Sequence, residues 1–153
     1  MSKPAALDRA KGSFMLANPP EVIMDFPRDL KYTKTHEWVR VESGVASVGI
    51  TAFAAEQIGD VVQLELPEKG REFHKDEAIA VVESSKASEE IFSPISGKVV
   101  AVNTALEGAP EKVNESPYGD GWMFKLEMTD PPEVGDLLDA GGYAKHVAEI
   151  EQE

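Results

Sequence analysis

The chain of 153 residues has no cysteine. Its own side chains therefore form no disulfide, no thiolate zinc site, no cysteine-held iron–sulfur cluster and no cysteine nucleophile. Cationic residues are also scarce, with 15 Lys and Arg against 28 Asp and Glu and a formal net charge of −13. A nucleic-acid binder needs a surplus of cations against phosphate, so that class is excluded. An acidic bias of this kind reads as a solvated, self-repelling surface. No apolar run reaches the roughly 18 residues of a membrane-spanning helix, and no membrane association is expected. Phe14 to Ala17 is too short for a secretory core and is stopped by Asn18, Pro19 and Pro20. Lys3, Arg9 and Lys11 share the N-terminal segment with Asp8, Glu21 and Asp25, unlike a basic presequence, so a cytoplasmic location is expected.

What is present is the composition of a folded chain, 42% hydrophobic and 7% aromatic, with length for one domain. Residues 1–28 hold four prolines and no sustained period, and read as an N-terminal extension that touches the domain around Val22 to Phe26. Residues 29–130 read as a β domain. Trp38 to Val41 and Val45 to Ile50 flank Ser43-Gly44 as a hairpin. Thr51 is placed to cap a short helix ending at Ile58, with Gly59 to terminate it. Val61 to Leu66 is a strand, and Pro67 to Gly70 a turn. Ala78 to Val82 and Ile91 to Phe92 are strand-like and bracket the small, polar segment Glu83 to Glu90, which predicts an exposed hairpin tip. Ser93 to Gly97 is a second turn, Lys98 to Val102 a strand, Asn103 to Gly121 a loop, and Trp122 to Met128 a further strand. In residues 131–153 Pro131 and Pro132 open a helical tail whose Tyr143, Val147 and Ile150 share one face, which should dock on the β-body. The expected fold is mainly β, a small antiparallel sandwich or flattened barrel with marginal helices.

Conventional active-site patterns are missing. His36, His74 and His146 are widely spaced, no pair has a metal-helix spacing, and all three are expected at the surface or sheet edges, with no metal site. There is no G-x-S-x-G elbow, no Walker A loop and no G-x-G-x-x-G. No conventional active site is visible in the sequence. Lys86 stands apart from ordinary solvated lysines because of its context. Ser85, Ala87 and Ser88 leave its amine unshielded at a turn aimed by two strands, which is what a modifying enzyme requires.

From Tyr32 to Gly121 the chain resembles the H protein of the glycine cleavage system. The matching blocks are Thr35-His36-Glu37-Trp38-Val39-Arg40, Ala46 to Thr51, Gly59-Asp60-Val61-Val62 and Glu65-Leu66-Pro67. They continue with Val81-Val82-Glu83-Ser84-Ser85-Lys86-Ala87, Ser93-Pro94-Ile95-Ser96-Gly97, Val113 to Tyr118 and Gly121-Trp122. The resemblance implies a barrel-sandwich hybrid, lipoyl-domain-like, with lipoic acid in amide linkage on Lys86. Glu83, Ser84, Ser85, Ala87 and Gly97 are implied as recognition residues for lipoylation. The lysine stem and lipoyl chain together reach roughly 14 Å, from about eleven bonds of ordinary length. Biotin domains share the architecture but resemble Met-Lys-Met at the tip, whereas Ser85 and Ala87 flank this lysine.

The family's function implies a non-catalytic carrier of an aminomethyl group between glycine decarboxylase, aminomethyltransferase and dihydrolipoamide dehydrogenase, after modification by a lipoate ligase or lipoyl transferase. A monomer is expected. Glu37 and Glu90 are the candidates to dock the loaded arm's ammonium. The chain departs from the family's usual pattern at Ser85, at Glu89-Glu90-Ile91-Phe92 and in its longer N-terminal extension. A second reading is an H-like lipoate-binding protein that carries sulfur intermediates for a heterodisulfide-reductase-like complex in sulfur oxidation. A third, of another class, is an unmodified β-sandwich adaptor.

Overall fold

The computed structural model describes residues 26–151, so the predicted extension lies outside the described residues up to position 25. Strand β1 (Lys31–Tyr32) pairs antiparallel with β2 (Glu37–Glu42), which turns into β3 (Val45–Ile50). The predicted hairpin is present, with Glu42 opposite Val45. Its two turn residues, Ser43 at φ 52° and Gly44 at φ 80°, both take the left-handed conformation that matches strand twist in a tight hairpin. Helix α1 (Ala52–Ile58) follows as predicted: the Thr51 hydroxyl accepts from the Ala54 N–H at 3.2 Å, and Gly59 ends the helix at φ 89°.

Strand β4 (Val61–Glu65), the two-residue β5 (Glu72–Phe73), β6 (Ala78–Ser84), β7 (Ser88–Phe92), β8 (Gly97–Val102) and β9 (Phe124–Met128) complete the β-body. Every pairing among them is antiparallel, in a six-stranded sheet ordered β1-β2-β3-β9-β8-β5 and a three-stranded sheet ordered β4-β6-β7. The main core contains Val39, Val48, Val82, Ile95, Val99 and Leu126, each at most 1% exposed. A second core gathers Phe26, Leu30, Tyr32, Trp38 and Phe53 against Tyr143 and Val147 of α4 (Ala140–Glu151). The Tyr32 and Tyr143 rings stack at 4.8 Å, so the predicted face of the tail does dock on the β-body.

The structure corrects three sequence expectations. The hairpin tip is shorter than Glu83 to Glu90, because the pairs Val81–Glu90, Val82–Glu89 and Glu83–Ser88 extend the ladder. Polar residues hide this strand from a reading by hydrophobicity, since Ser88, Glu89 and Glu90 are all exposed. The loop from Asn103 to Gly121 contains two single-turn helices, α2 (Ala105–Gly108) and α3 (Lys112–Glu115), pinned by the buried Leu106 and Val113. Pro131 and Pro132 open a 3-10 turn (Pro131–Asp136) before α4 begins, and the Asp139 carboxylate accepts from the Gly142 N–H at 2.7 Å at the start of that helix.

Gly49 lies opposite Trp38, and a Cβ placed there would sit 2.7 Å from the indole Nε1, which already donates to the Pro117 carbonyl at 2.8 Å. Gly49→Ala is therefore expected to cost about 1–3 kcal/mol through overpacking, read as a lower thermal midpoint by circular dichroism. An unchanged midpoint would count against this close approach.

Candidate functional site

Lys86 occupies the turn between β6 and β7. Ser84 organises that turn: its Oγ accepts from the Lys86 N–H at 3.2 Å and the Ala87 N–H at 3.1 Å, while its own N–H donates to the Ala87 carbonyl at 2.8 Å. The loop is thus short, internally bonded and rooted in two strands, and Ser85 and Lys86 are exposed. The lysine stem lies against Gly59, where an added Cβ would come 3.1 Å from Lys86 Cε. Gly59 fulfils two requirements, a left-handed φ and room for the lysine. Asn114 holds this seat. Its Nδ2 donates to the carbonyls of Gly59 at 2.8 Å and Ala55 at 3.3 Å, and its Oδ1 accepts from the Val61 N–H at 2.9 Å.

Beside the turn is a cleft of about 390 Å³. Thr35, His36, Phe53, Ala87, Glu90 and Ile150 are among its lining residues, so β2's approach, α1, the tip hairpin and α4 all contribute walls. Glu90 lines the cleft. Glu37 is 1% exposed and sits behind that surface. One of its carboxylate oxygens accepts from the hydroxyls of Thr33 and Thr35, and the other from the Phe92 N–H at 3.1 Å. This carboxylate therefore ties β7 of one sheet to β2 of the other. Burial pushes the Glu37 pKa up, and its hydrogen bonds oppose that shift.

Of the residues expected to guide lipoylation, Glu83 and Ser84 lie on β6 beside the tip, with Ser85 and Ala87 within the turn. Gly97 does not join them. It starts β8 in the other sheet, opposite Phe73 and Met128, where a Cβ would fall 2.7 Å from the Glu127 carbonyl oxygen. Close strand approach accounts for that glycine.

The histidines also need correction. His74 is exposed as expected, but His36 and His146 are half-buried and face each other at 5.7 Å, because α4 covers that corner. Among the described residues no cluster of three or more His, Asp or Glu is arranged to hold a metal. His36 takes φ 77°, and its Nδ1 lies 2.7 Å from the Tyr143 hydroxyl, which is in turn 2.7 Å from the Thr51 hydroxyl. Burial, and secondarily His146, lower the His36 pKa from 6.5 to about 4. The folded protein thus binds fewer protons at this site than the unfolded chain between those values. The stability present above pH 6.5 is lost as pH falls through about 4. Asparagine tolerates positive φ and does not titrate, so His36→Asn is expected to show a flatter midpoint-against-pH curve over this window. Parallel curves for the two proteins would refute a neutral, buried imidazole.

Residues 30–150 match the family model for the glycine cleavage H-protein. The chain belongs to the glycine cleavage H-protein family. It is 56% identical over 117 residues to the glycine cleavage system H protein of Symbiobacterium thermophilum, which covers 76% of this chain and 91% of that one. The corresponding protein of Thermus thermophilus is 53% identical over 120 residues, covering 78% and 94%. The crystal structure of a glycine cleavage system H protein from Mycobacterium marinum superposes with a TM-score of 0.75 at 37% identity, covering 80% of this chain and 99% of that one. The two sheets are accordingly the barrel-sandwich hybrid of the lipoyl-domain type, and the family is one of lipoate-bearing carrier subunits. No helix among the described residues is long and apolar enough to cross a membrane.

Sequence reasoning missed Thr35, His36, Phe53 and Ile150 as cleft residues and Asn114 as the holder of the lysine seat. The first two stood inside the Thr35-His36-Glu37-Trp38 block, and Asn114 inside Val113 to Tyr118, so the motif signal was present without the geometry.

Proposed function

We propose that Lys86 is the attachment point for lipoic acid and that the acylated lysine serves as a swinging arm in glycine cleavage. The reading is carried by one observation: an exposed lysine on a bonded two-strand turn, beside a cleft of about 390 Å³, in a chain of the glycine cleavage H-protein family. The residues present fit the group. Ser85 and Ala87 leave the amine accessible, Gly59 gives the stem a path along α1, and Phe53, Ile58, Val82 and Ile91 offer the cleft an apolar lining for methylenes.

When bound, the lipoyl group supplies a disulfide that takes up an aminomethyl fragment derived from glycine and gives it up at the next enzyme. The chain's own contribution is tethering, which replaces a diffusional encounter by a high effective concentration at each partner's site. Its second contribution is shelter. Thr35, the Glu90 carboxylate and the buried Glu37 charge behind them favour a cationic amine at that end of the cleft. The partners on this reading are a lipoate-attaching enzyme, glycine decarboxylase, aminomethyltransferase and dihydrolipoamide dehydrogenase.

Glycine-dependent bicarbonate exchange with a glycine decarboxylase tests the pathway. The lipoylated protein is expected to support exchange. Failure beside a working carrier would instead favour a sulfur-carrying role for the same lysine, and failure to acquire any lipoyl mass increment would favour the unmodified adaptor.

A further inference from the structure

We propose that Tyr143 is a positioning residue that sets the tautomer of His36, so that the cleft wall presents a fixed Nε2–H donor to a hydrogen-bond acceptor of the docked arm. The buried hydrogen bonds alone fix the tautomer, and its use by the arm rests on the proposed docking of a lipoyl arm in this cleft.

Thr51 is 0% exposed. Its Oγ1 accepts from the Ala54 N–H, and the Tyr143 hydroxyl at 2.7 Å is the remaining hydrogen-bond partner of that oxygen among the described residues. Tyr143 is likewise 0% exposed and touches only Thr51 and His36 through its hydroxyl among the described residues. Two directions of the chain are conceivable. If the His36 Nδ1–H donated to Tyr143 and Tyr143 donated to Thr51, the buried Thr51 proton would have no acceptor, which folded proteins avoid. If Thr51 donates to Tyr143 and Tyr143 donates to His36 Nδ1, every buried proton is used. The second direction leaves Nδ1 as an acceptor and puts the ring proton of the neutral imidazole on Nε2.

That nitrogen has no hydrogen-bond partner among the described residues, and His36 is one of the residues lining the cleft. Phe53 at 5.1 Å and His146 at 5.7 Å hold the ring in place. His146 is occupied elsewhere, with its Nε2 3.0 Å from the Lys34 carbonyl, which can only accept. The depressed basicity of His36 keeps it a neutral donor at physiological pH. A neutral N–H cannot accept from an ammonium. It is complementary to the other polar atoms an acylated lysine arm brings, the amide oxygen and a free sulfur.

The test begins with the tautomer in the unmodified protein. Long-range ¹H–¹⁵N spectra of the uniformly labelled chain are expected to show His36 Nε2 protonated and Nδ1 unprotonated. An Nδ1–H form, or an even mixture, would overturn the proposal whatever the arm does. Tyr143→Phe is expected to convert the ring to a mixture while the exposed His74 keeps its signals. An unchanged His36 tautomer in a folded variant would remove Tyr143 from its role. Should that variant not fold, the wild-type spectrum still decides the direction of the chain.

The arm is then added in two forms by a lipoate ligase: octanoyl, which has the amide but no sulfur, and dihydrolipoyl, which has both. The His36 Nε2–H signal is expected to shift and exchange more slowly. A shift already present with octanoyl assigns the acceptor to the amide oxygen, and one confined to dihydrolipoyl assigns it to sulfur. No shift in either form, with Lys86 acylation confirmed by intact mass, overturns the docking half. Absence of acylation would instead be a failure of the proposed function and would leave the tautomer result untouched.

Discussion

Lys86→Arg is expected to abolish carrier activity completely while leaving the fold intact. Arginine preserves the positive charge and most of the length of the stem. Its guanidinium stays protonated and delocalised, so it is not a nucleophile for acyl transfer, whereas a lysine side chain forms a stable amide. The side chain is exposed and makes no ion pair among the described residues, so the change in stability should fall within about 0.5 kcal/mol. Two readouts separate loss of the arm from loss of structure. Intact mass after treatment with a lipoate ligase should gain one lipoyl increment for the natural chain and none for the variant. Thiol titration after reduction should return about two equivalents per fully lipoylated natural chain and none for the variant. The absence of cysteine makes that titration unambiguous, because the polypeptide contributes no background thiol. A lipoyl increment that survives in Lys86→Arg would move the attachment site elsewhere and remove the argument built on the turn and on Gly59.

How much of this was legible in the sequence follows from the range of the interactions involved. The β2–β3 hairpin was legible because Ser43-Gly44 carries its turn geometry locally, and α1 because Thr51 and Gly59 are caps acting within one helical turn. The docking face of α4 was legible because Tyr143, Val147 and Ile150 repeat at the helical period. The two-residue strands β1 and β5 are too short to show alternation; Tyr32 of β1 is bonded on its far side to Leu138, and β5 pairs with Lys98 and Gly97 of β8. Helices α2 and α3 are single turns fixed by one buried residue each, below the length at which periodicity can be read. The same division holds at the site. Lys86 announced itself through small neighbours. The burial of Glu37 and the joining of His36 to Tyr143 depend on residues 55 and 107 positions away in sequence, which spacing cannot reveal.

Glu37→Gln is expected to leave folding and lipoylation in place and to speed loss of amine from the aminomethyl-loaded arm by roughly 10-fold, about 1.4 kcal/mol, by removing the negative charge buried behind the cleft. Two features of the surroundings make this substitution mild for the fold. The Thr33 and Thr35 hydroxyls that donate to Glu37 can rotate to accept instead, so a glutamine amide can face them while its carbonyl keeps the Phe92 N–H. Glutamine also removes a charge whose burial is costly, as the raised Glu37 pKa indicates. The sign of the pH dependence follows. A raised carboxyl pKa means that the folded state holds its proton more tightly than the unfolded chain. The natural protein should therefore gain stability relative to the variant as pH falls through the raised value towards the ordinary 4.5, and should show no advantage from this group at neutral pH. Thermal midpoints of both proteins across that range, together with the rate of amine release at pH 7, distinguish two roles for one carboxylate. If release is unchanged while the midpoints diverge as described, Glu37 serves only to fasten β7 to β2, and Glu90 is left as the carboxylate that meets the arm. If both change, the residue that joins the two sheets also supplies the negative charge against which a cationic cargo is held.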